Sequence, residues 1–259
     1  MSRRRFLGLA ASSLVAPACG FALAATNPKS AGSRISAVAF DLFTLFDPRG
    51  IDRRVQSVLG QHDGLATTWK SRLFEYAWIR AVAGQYADFS QLVLDSLSYA
   101  SQAHQIELTR AQMQKLAAGF WELEAWPDTE ETLHELRREG LKLAPLANYA
   151  PQMIDDLLAH NGLGSAFDAR ISTHSAGTYK PDPRAYALAE TTFALPRQAI
   201  AFAAFGGWDA AGARWFGYPT FWVNRLAQPM ERLVTADASG PDLKALAAWL
   251  RERRGSIAG

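Results

Sequence analysis

Hydrophobic and polar positions follow two different periods along this chain. The run Ile35-Ser36-Ala37-Val38-Ala39-Phe40 is apolar at nearly every position and stops at Asp41. A short run of that kind predicts a strand covered on both faces, as in a parallel sheet. Asp47-Pro48-Arg49-Gly50 then breaks the pattern. From about 51 to 122 the spacing becomes helical, with Trp69, Leu73, Tyr76 and Ala77, then Leu92, Val93, Leu97 and Ala100. No proline lies between Pro48 and Pro127, which suits uninterrupted helices. This stretch predicts helices and no strand.

Beyond Pro127 the two periods alternate. A helix is predicted near 128–139, ending at Gly140, followed by a strand over 141–147. A helix near 151–161 precedes a short strand near 168–172, and another helix follows Pro181. The run 199–205 predicts a strand, a helix starts near Trp208, 219–223 is the last predicted strand, and a helix closes the chain over about 241–252. Such alternation predicts a doubly wound α/β fold with a parallel sheet. The expected organisation is an α/β core over 35–48 and 125–259, interrupted after its first strand by an all-helical cap over 49–124.

The N-terminus changes the picture of where the protein works. Ser2-Arg3-Arg4-Arg5-Phe6-Leu7 is a twin-arginine pattern, followed by a moderately apolar run that ends in Ala22-Leu23-Ala24. Residues 1–24 are therefore expected to be a Tat signal peptide, read by the Tat translocase, with 25–34 a polar linker and a periplasmic destination. Cys19 within it raises lipidation as an alternative. The formal net charge is +2. Removing residues 1–24 takes three arginines and no acid, leaving 24 basic against 25 acidic residues, a net −1. That charge gives no case for nucleic acid. The single Cys leaves with the signal, so the remainder has no thiol for a disulfide, a nucleophile or a metal. The five histidines do not cluster with acids at metal spacing, and no metal or cofactor is expected.

In parallel sheets ligands bind beyond the carboxyl ends of the strands. Four such ends carry polar groups: Asp41 with Leu42, Phe43 and Thr44; Asn148 after Ala147; Lys180 in Tyr179-Lys180-Pro181-Asp182-Pro183, with Tyr186 beyond; and Asp209 in Phe205-Gly206-Gly207-Trp208-Asp209. An acid, an amide, a lysine and a second acid would converge from four strands.

These segments, together with Trp69-Lys70 through Arg80 and with Tyr86-Ala87-Asp88-Phe89, resemble the haloacid dehalogenase (HAD) superfamily, and most closely its type II (S)-2-haloacid dehalogenases. The resemblance covers roughly 35–225. It implies a HAD-like, Rossmann-like core with a helical cap. It also implies hydrolytic dehalogenation of short 2-haloalkanoic acids with water, through an aspartyl ester on Asp41. Lys180 would keep Asp41 ionised, and Asp209 would orient or deprotonate the water. Lys70 and Asn148 match the positions that hold the leaving halide. Phe43, Phe89 and Trp208 would wall the pocket with Thr44 beside them, and Tyr186 would support the site. A homodimer is a further family-level expectation.

Superfamily phosphatases carry a second acid two residues after the nucleophile, where this chain has Phe43. Phe can neither transfer a proton nor bind Mg²⁺. The sequence also departs from the dehalogenases. The loop after Asp41 is one residue short, Lys70 replaces an arginine, Ala147 and Ala204 replace serines, and Gly206 replaces an asparagine. A phosphatase or other hydrolase, and a catalytically weakened homologue that binds a small anion, therefore stand as alternatives. Lys70 also reads as an ordinary surface lysine on an amphipathic helix.

Overall fold

Residues 34–62 and 64–255 are described by a computed structural model. The expectations for the signal peptide, for Cys19 and for most of the linker fall outside the described residues.

Strand β1 (Ala37–Phe40) is buried at every residue. Successive side chains of a strand point to opposite faces. Val38 and Phe40 enter one hydrophobic cluster, and Ala37 and Ala39 enter a second. The remaining strands are β2 (Lys142–Ala147), β3 (Ile171–Ser172), β4 (Ile200–Ala204), β5 (Thr220–Val223) and β6 (Ala238–Gly240). Their spatial order is β3-β2-β1-β4-β5-β6, with every neighbouring pair parallel. The sheet is thus the predicted parallel one, with β1 among its central strands.

Helices cover both faces. Against Val38 and Phe40 pack α6 (Thr129–Arg138), α7 (Pro151–His160) and α10 (Leu243–Gly255), through Leu133, Leu136, Leu157, Leu246 and Leu250. Against Ala37 and Ala39 pack α8 (Pro183–Phe193) and α9 (Gly207–Phe216), through Ala189, Phe193, Ala210 and Ala213. The small residues on this second face let α8 and α9 lie close to the strands that carry the site.

Between β1 and β2 the chain forms α1 (Leu42–Leu45), α2 (Arg49–Leu59), α3 (Leu65–Ala83), α4 (Phe89–Ala103) and α5 (Arg110–Ala117). In α3 the buried Trp69, Leu73 and Ala77 recur every four residues and face α4. The Trp69 indole N–H donates to the Val93 carbonyl at 2.9 Å, so this large ring is both buried and hydrogen-bonded.

Three details differ from the sequence expectations. The short helix α1 follows Asp41 directly. Strand β6 forms from Ala238-Ser239-Gly240, which has no apolar run, because an edge strand can take its hydrogen bonds from β5 without burying side chains. Strand β3 spans only Ile171–Ser172, because Asp168 takes over the pairing that an earlier start would supply. Its Oδ2 accepts the Leu143 N–H at 2.8 Å, and its own N–H donates to the Leu143 carbonyl at 2.8 Å. Pro145 sits inside β2 and has no N–H to give. The Leu143 N–H points to the β3 side, so position 145 does too, and the β3 ladder begins only opposite Leu146. The missing donor falls where no acceptor strand exists.

Candidate active site

Asp41 follows β1, and its backbone N–H still pairs with the Ala203 carbonyl of β4 at 2.9 Å. The residue then caps α1, its Oδ1 accepting the Phe43 N–H at 2.9 Å. Thr44 closes the turn, donating its hydroxyl to the Asp41 carbonyl at 2.6 Å. The carboxylate is therefore aimed by its own backbone before any partner arrives.

Lys180 is the partner. Its ammonium lies 2.6 Å from Asp41 Oδ2 and 2.7 Å from Asp209 Oδ2. The Lys180 side chain is 1% exposed, Asp209 0% and Asp41 15%. Burial alone would strip Lys180 of its proton, but the charges of Asp209 and Asp41 overcome it and hold its pKa above the ordinary lysine value. Asp209, in the first turn of α9, is pushed up to about 6, first by burial and further by the charge of Asp41, with Lys180 opposing. Tyr186 of α8 donates its hydroxyl to Asp209 Oδ1 at 2.6 Å. Burial, and then the charge of Asp209, raise the phenol pKa well above its usual value, so it stays a donor. A bulkier residue at Gly212 would drive its Cβ into the Tyr186 hydroxyl and come within 2.8 Å of Pro181 Cβ. That glycine lets α9 approach closely enough for the Tyr186–Asp209 contact.

Asn148 ties the next strand end to the lysine. Its Oδ1 accepts the Lys180 backbone N–H at 2.8 Å, and the Thr173 hydroxyl lies 3.5 Å away. Above these groups is a small cavity lined by Asp41, Leu42, Phe43, Phe74, Phe89, Ala147, Asn148, Tyr149 and Trp208. Its free volume is about 20 Å³, the room of roughly one water molecule. Aromatic rings from the core and the insert wall it. Phe89 stacks on Tyr149 at 5.1 Å, Phe43 meets Tyr149 at 6.2 Å, and Trp208 packs on Phe74 at 5.7 Å and Trp78 at 5.4 Å. The Asp41 carboxylate is only partly exposed there, and among the described residues the cation paired with it is Lys180.

The predicted residues thus separate into three groups. Asp41, Phe43, Phe89, Asn148 and Trp208 line the cavity. Lys180, Asp209, Tyr186 and Thr44 stand behind it, holding Asp41 directly or through one another. Lys70 does not reach it. Its ammonium pairs with Asp52 of α2 at 2.6 Å, with the two side chains 29% and 44% exposed. Successive helical residues point about 100° apart; Trp69 takes the inward direction onto Phe120, and the flexible lysine stem finds the nearer surface carboxylate. Sequence reasoning missed Phe74 and Tyr149. Phe74 is one residue from the buried Leu73 stripe, and Tyr149 follows Asn148 directly, so strand-end position was the available signal for Tyr149. The Tyr149 hydroxyl is buried and makes no hydrogen bond among the described residues, a state that costs about 1–3 kcal/mol when nothing fills it. Among the described residues no three His, Cys, Asp or Glu side chains gather as metal ligands.

A parallel α/β sheet with an aspartate after its first strand, joined through a buried lysine to a second acid, is the arrangement of a hydrolase. The chain belongs to the haloacid dehalogenase-like hydrolases, whose family pattern matches residues 35–217. It is 36% identical over 201 residues to an (S)-2-haloacid dehalogenase of Pseudomonas sp. (strain YL), covering 77% of this chain and 87% of that one. The crystal structure of an L-2-haloacid dehalogenase superposes with a TM-score of 0.82 at 35% identity, over 85% of this chain and all of the other. The Xanthobacter autotrophicus L-2-haloacid dehalogenase with chloropropionic acid covalently bound gives a TM-score of 0.78 at 30% identity, over 84% and 98% of the two chains.

Proposed function

We propose that this protein hydrolyses the carbon–halogen bond of short 2-haloalkanoic acids. The observation that carries the reading is the Lys180 ammonium set between Asp41 and Asp209 below an aromatic cavity. The match to 2-haloacid dehalogenases over most of the chain supports it. An Asp41 oxygen attacks the carbon bearing the halogen, the C–X electron pair leaves with halide, and an ester forms on Asp41. Lys180 pairs with the attacking carboxylate at 2.6 Å, and the rings of Phe43, Phe89 and Trp208 wall the space around it. Water then adds to the ester carbonyl of Asp41, giving up a proton toward Asp209. The hydroxy acid departs and the carboxylate is restored. Each oxygen of Asp209 already accepts one hydrogen bond and has a second lone pair to offer water. Tyr186 and Thr44 are positioning residues in this scheme, and 49–124 acts as a cap over the pocket.

Halide release from chloroacetate, bromoacetate and 2-chloropropionate tests this directly. Asp41→Asn is expected to reduce release by at least about 10³-fold, and EDTA to leave the wild type unaffected. A single turnover in H₂¹⁸O is expected to place the label in the Asp41 carboxylate and not in the product hydroxyl; the reverse would overturn the ester route. A second reading, a weakened homologue that holds a small anion, is favoured by the pairing of Lys70 with Asp52. Folded protein that releases no halide from any of these acids would select it.

Export belongs to the same proposal. The twin-arginine motif at Ser2–Leu7 and the small residues at Ala22–Ala24 support Tat passage to the periplasm. Arg3→Lys with Arg4→Lys is expected to keep the full-length chain in the cytoplasm on fractionation. Homodimer formation rests on the family resemblance, and sedimentation velocity tests it.

A further inference from the structure

One buried donor beside the nucleophile has no partner. Tyr149 is 3% exposed, and its hydroxyl makes no hydrogen bond among the described residues. The residue is held firmly. Its backbone carbonyl accepts the Ser172 hydroxyl at 2.6 Å, and its ring sits among Phe89 at 5.1 Å, Phe43 at 6.2 Å and Phe120 at 6.3 Å. It lines the same small cavity as Asp41. Burial first, and then the negative charge of Asp41, lift the phenol pKa well above its usual value. The group is therefore a neutral O–H that lies within the electrostatic reach of Asp41.

Displacement at carbon sends the leaving group to the side opposite the attacking oxygen. Charge gathers there, and a group aimed at that developing charge accelerates the step. The cavity offers few donors for it. Lys70 is committed to Asp52. Leu42, Phe43, Phe74, Phe89 and Ala147 have no donor in their side chains. The Trp208 indole nitrogen lies over Gly206, 2.7 Å from where a Cβ would stand. Asn148 has its side-chain oxygen fixed on the Lys180 backbone N–H, which leaves its amide N–H₂ as the other side-chain donor there. Tyr149 packs against Phe89 and Phe120 of the helical insert.

We propose that the Tyr149 hydroxyl is the hydrogen-bond donor to the departing halide, so that a neutral phenol does in this chain what a cap cation would otherwise do. The proposal rests on the dehalogenase reading of the site. The phenol keeps its proton throughout: the halide leaves with the C–X electron pair as an anion, and the hydrogen bond shortens as charge builds on it.

Tyr149→Phe removes one oxygen and keeps the ring packing. Two readouts test the proposal on the full chain. The first is halide-dependent turnover. The kcat for chloroacetate is expected to fall at least 10-fold and that for bromoacetate less, because bromide is the weaker hydrogen-bond acceptor and the better leaving group. The second needs no turnover: bromide titrated against tryptophan fluorescence, with Trp208 in the pocket, is expected to bind the wild type at least 5-fold more tightly than the variant. Equal losses for both substrates, or unchanged bromide binding, would overturn the assignment and reduce Tyr149 to packing. A wild type that binds bromide through Tyr149 yet releases no halide would leave this site standing and sink the dehalogenase reading instead.

Discussion

Lys180 is one base shared by two acids, and almost nothing of it touches solvent. Buried charges are tolerable when paired, and removing one partner strands the others. Lys180→Met would leave Asp209 fully buried beside Asp41 with no counter-charge. The expected loss is about 3–5 kcal/mol of unfolding free energy, read by urea denaturation, with dehalogenation abolished. Asp209 gives the site its pH dependence. Its pKa is raised from the ordinary 3.8 to about 6, so the folded protein holds that proton more tightly than the unfolded chain does. Below about 6 Asp209 is protonated and cannot take a proton from water, so kcat is expected to fall as pH drops through that value. Its contribution to stability runs the other way, greatest below 3.8 and lost as pH rises through about 6. A pH–rate profile beside a pH–stability profile checks both signs. Asp41, Asn148 and Asp209 stood out because apolar runs lead to them and strand ends in a parallel sheet converge whatever the rotamers, whereas Lys180, eight residues beyond β3, was marked by the family resemblance of Tyr179-Lys180-Pro181-Asp182-Pro183. Lys70 was not legible, because an ammonium on four rotatable carbons chooses among carboxylates only in three dimensions. Tyr149 was hidden for a related reason: an unpartnered hydroxyl is a property of its surroundings.

At the level of elements, the loop from β4 into α9 shows what a missing side chain can mean. Gly206 stands where the family resemblance expects an asparagine, and the space is already taken. A Cβ there would lie 2.7 Å from the Trp208 indole nitrogen and 3.0 Å from its Cδ1. Gly206→Ala is expected to push Trp208 off Phe74 and Trp78. The cost would be about 1–3 kcal/mol in overpacking, with KM raised because Trp208 walls the cavity; thermal denaturation and steady-state kinetics read the two effects. Among the elements, the long apolar strands and the proline-free helical stretch were readable from period alone. β6 and α1 were not. Each is three or four residues long, too short to show a period, and each forms because a neighbour offers hydrogen bonds.

For the whole molecule, the aromatic rings that the insert sets beside the strand ends bound the size of what can react. A free volume of about 20 Å³ admits a small acid only with some yielding of the aromatic wall. kcat/KM is expected to drop at least 10-fold from 2-chloropropionate to 2-chlorohexanoate, measured as halide release. A flat profile along that series would mean that the rings of the insert do not bound the substrate.

The Lys180–Asp41 contact joins residues 139 apart in sequence, and the whole helical insert is threaded between β1 and β2. No fragment that lacks part of the span 41–180 holds both halves of the charge pair, and loops that long close late, after local helices are already in place. Chemical competence therefore arrives with the last long-range contacts and not before them. During refolding the recovery of activity would follow global structure without a lead, which makes turnover a clock for completion of the fold.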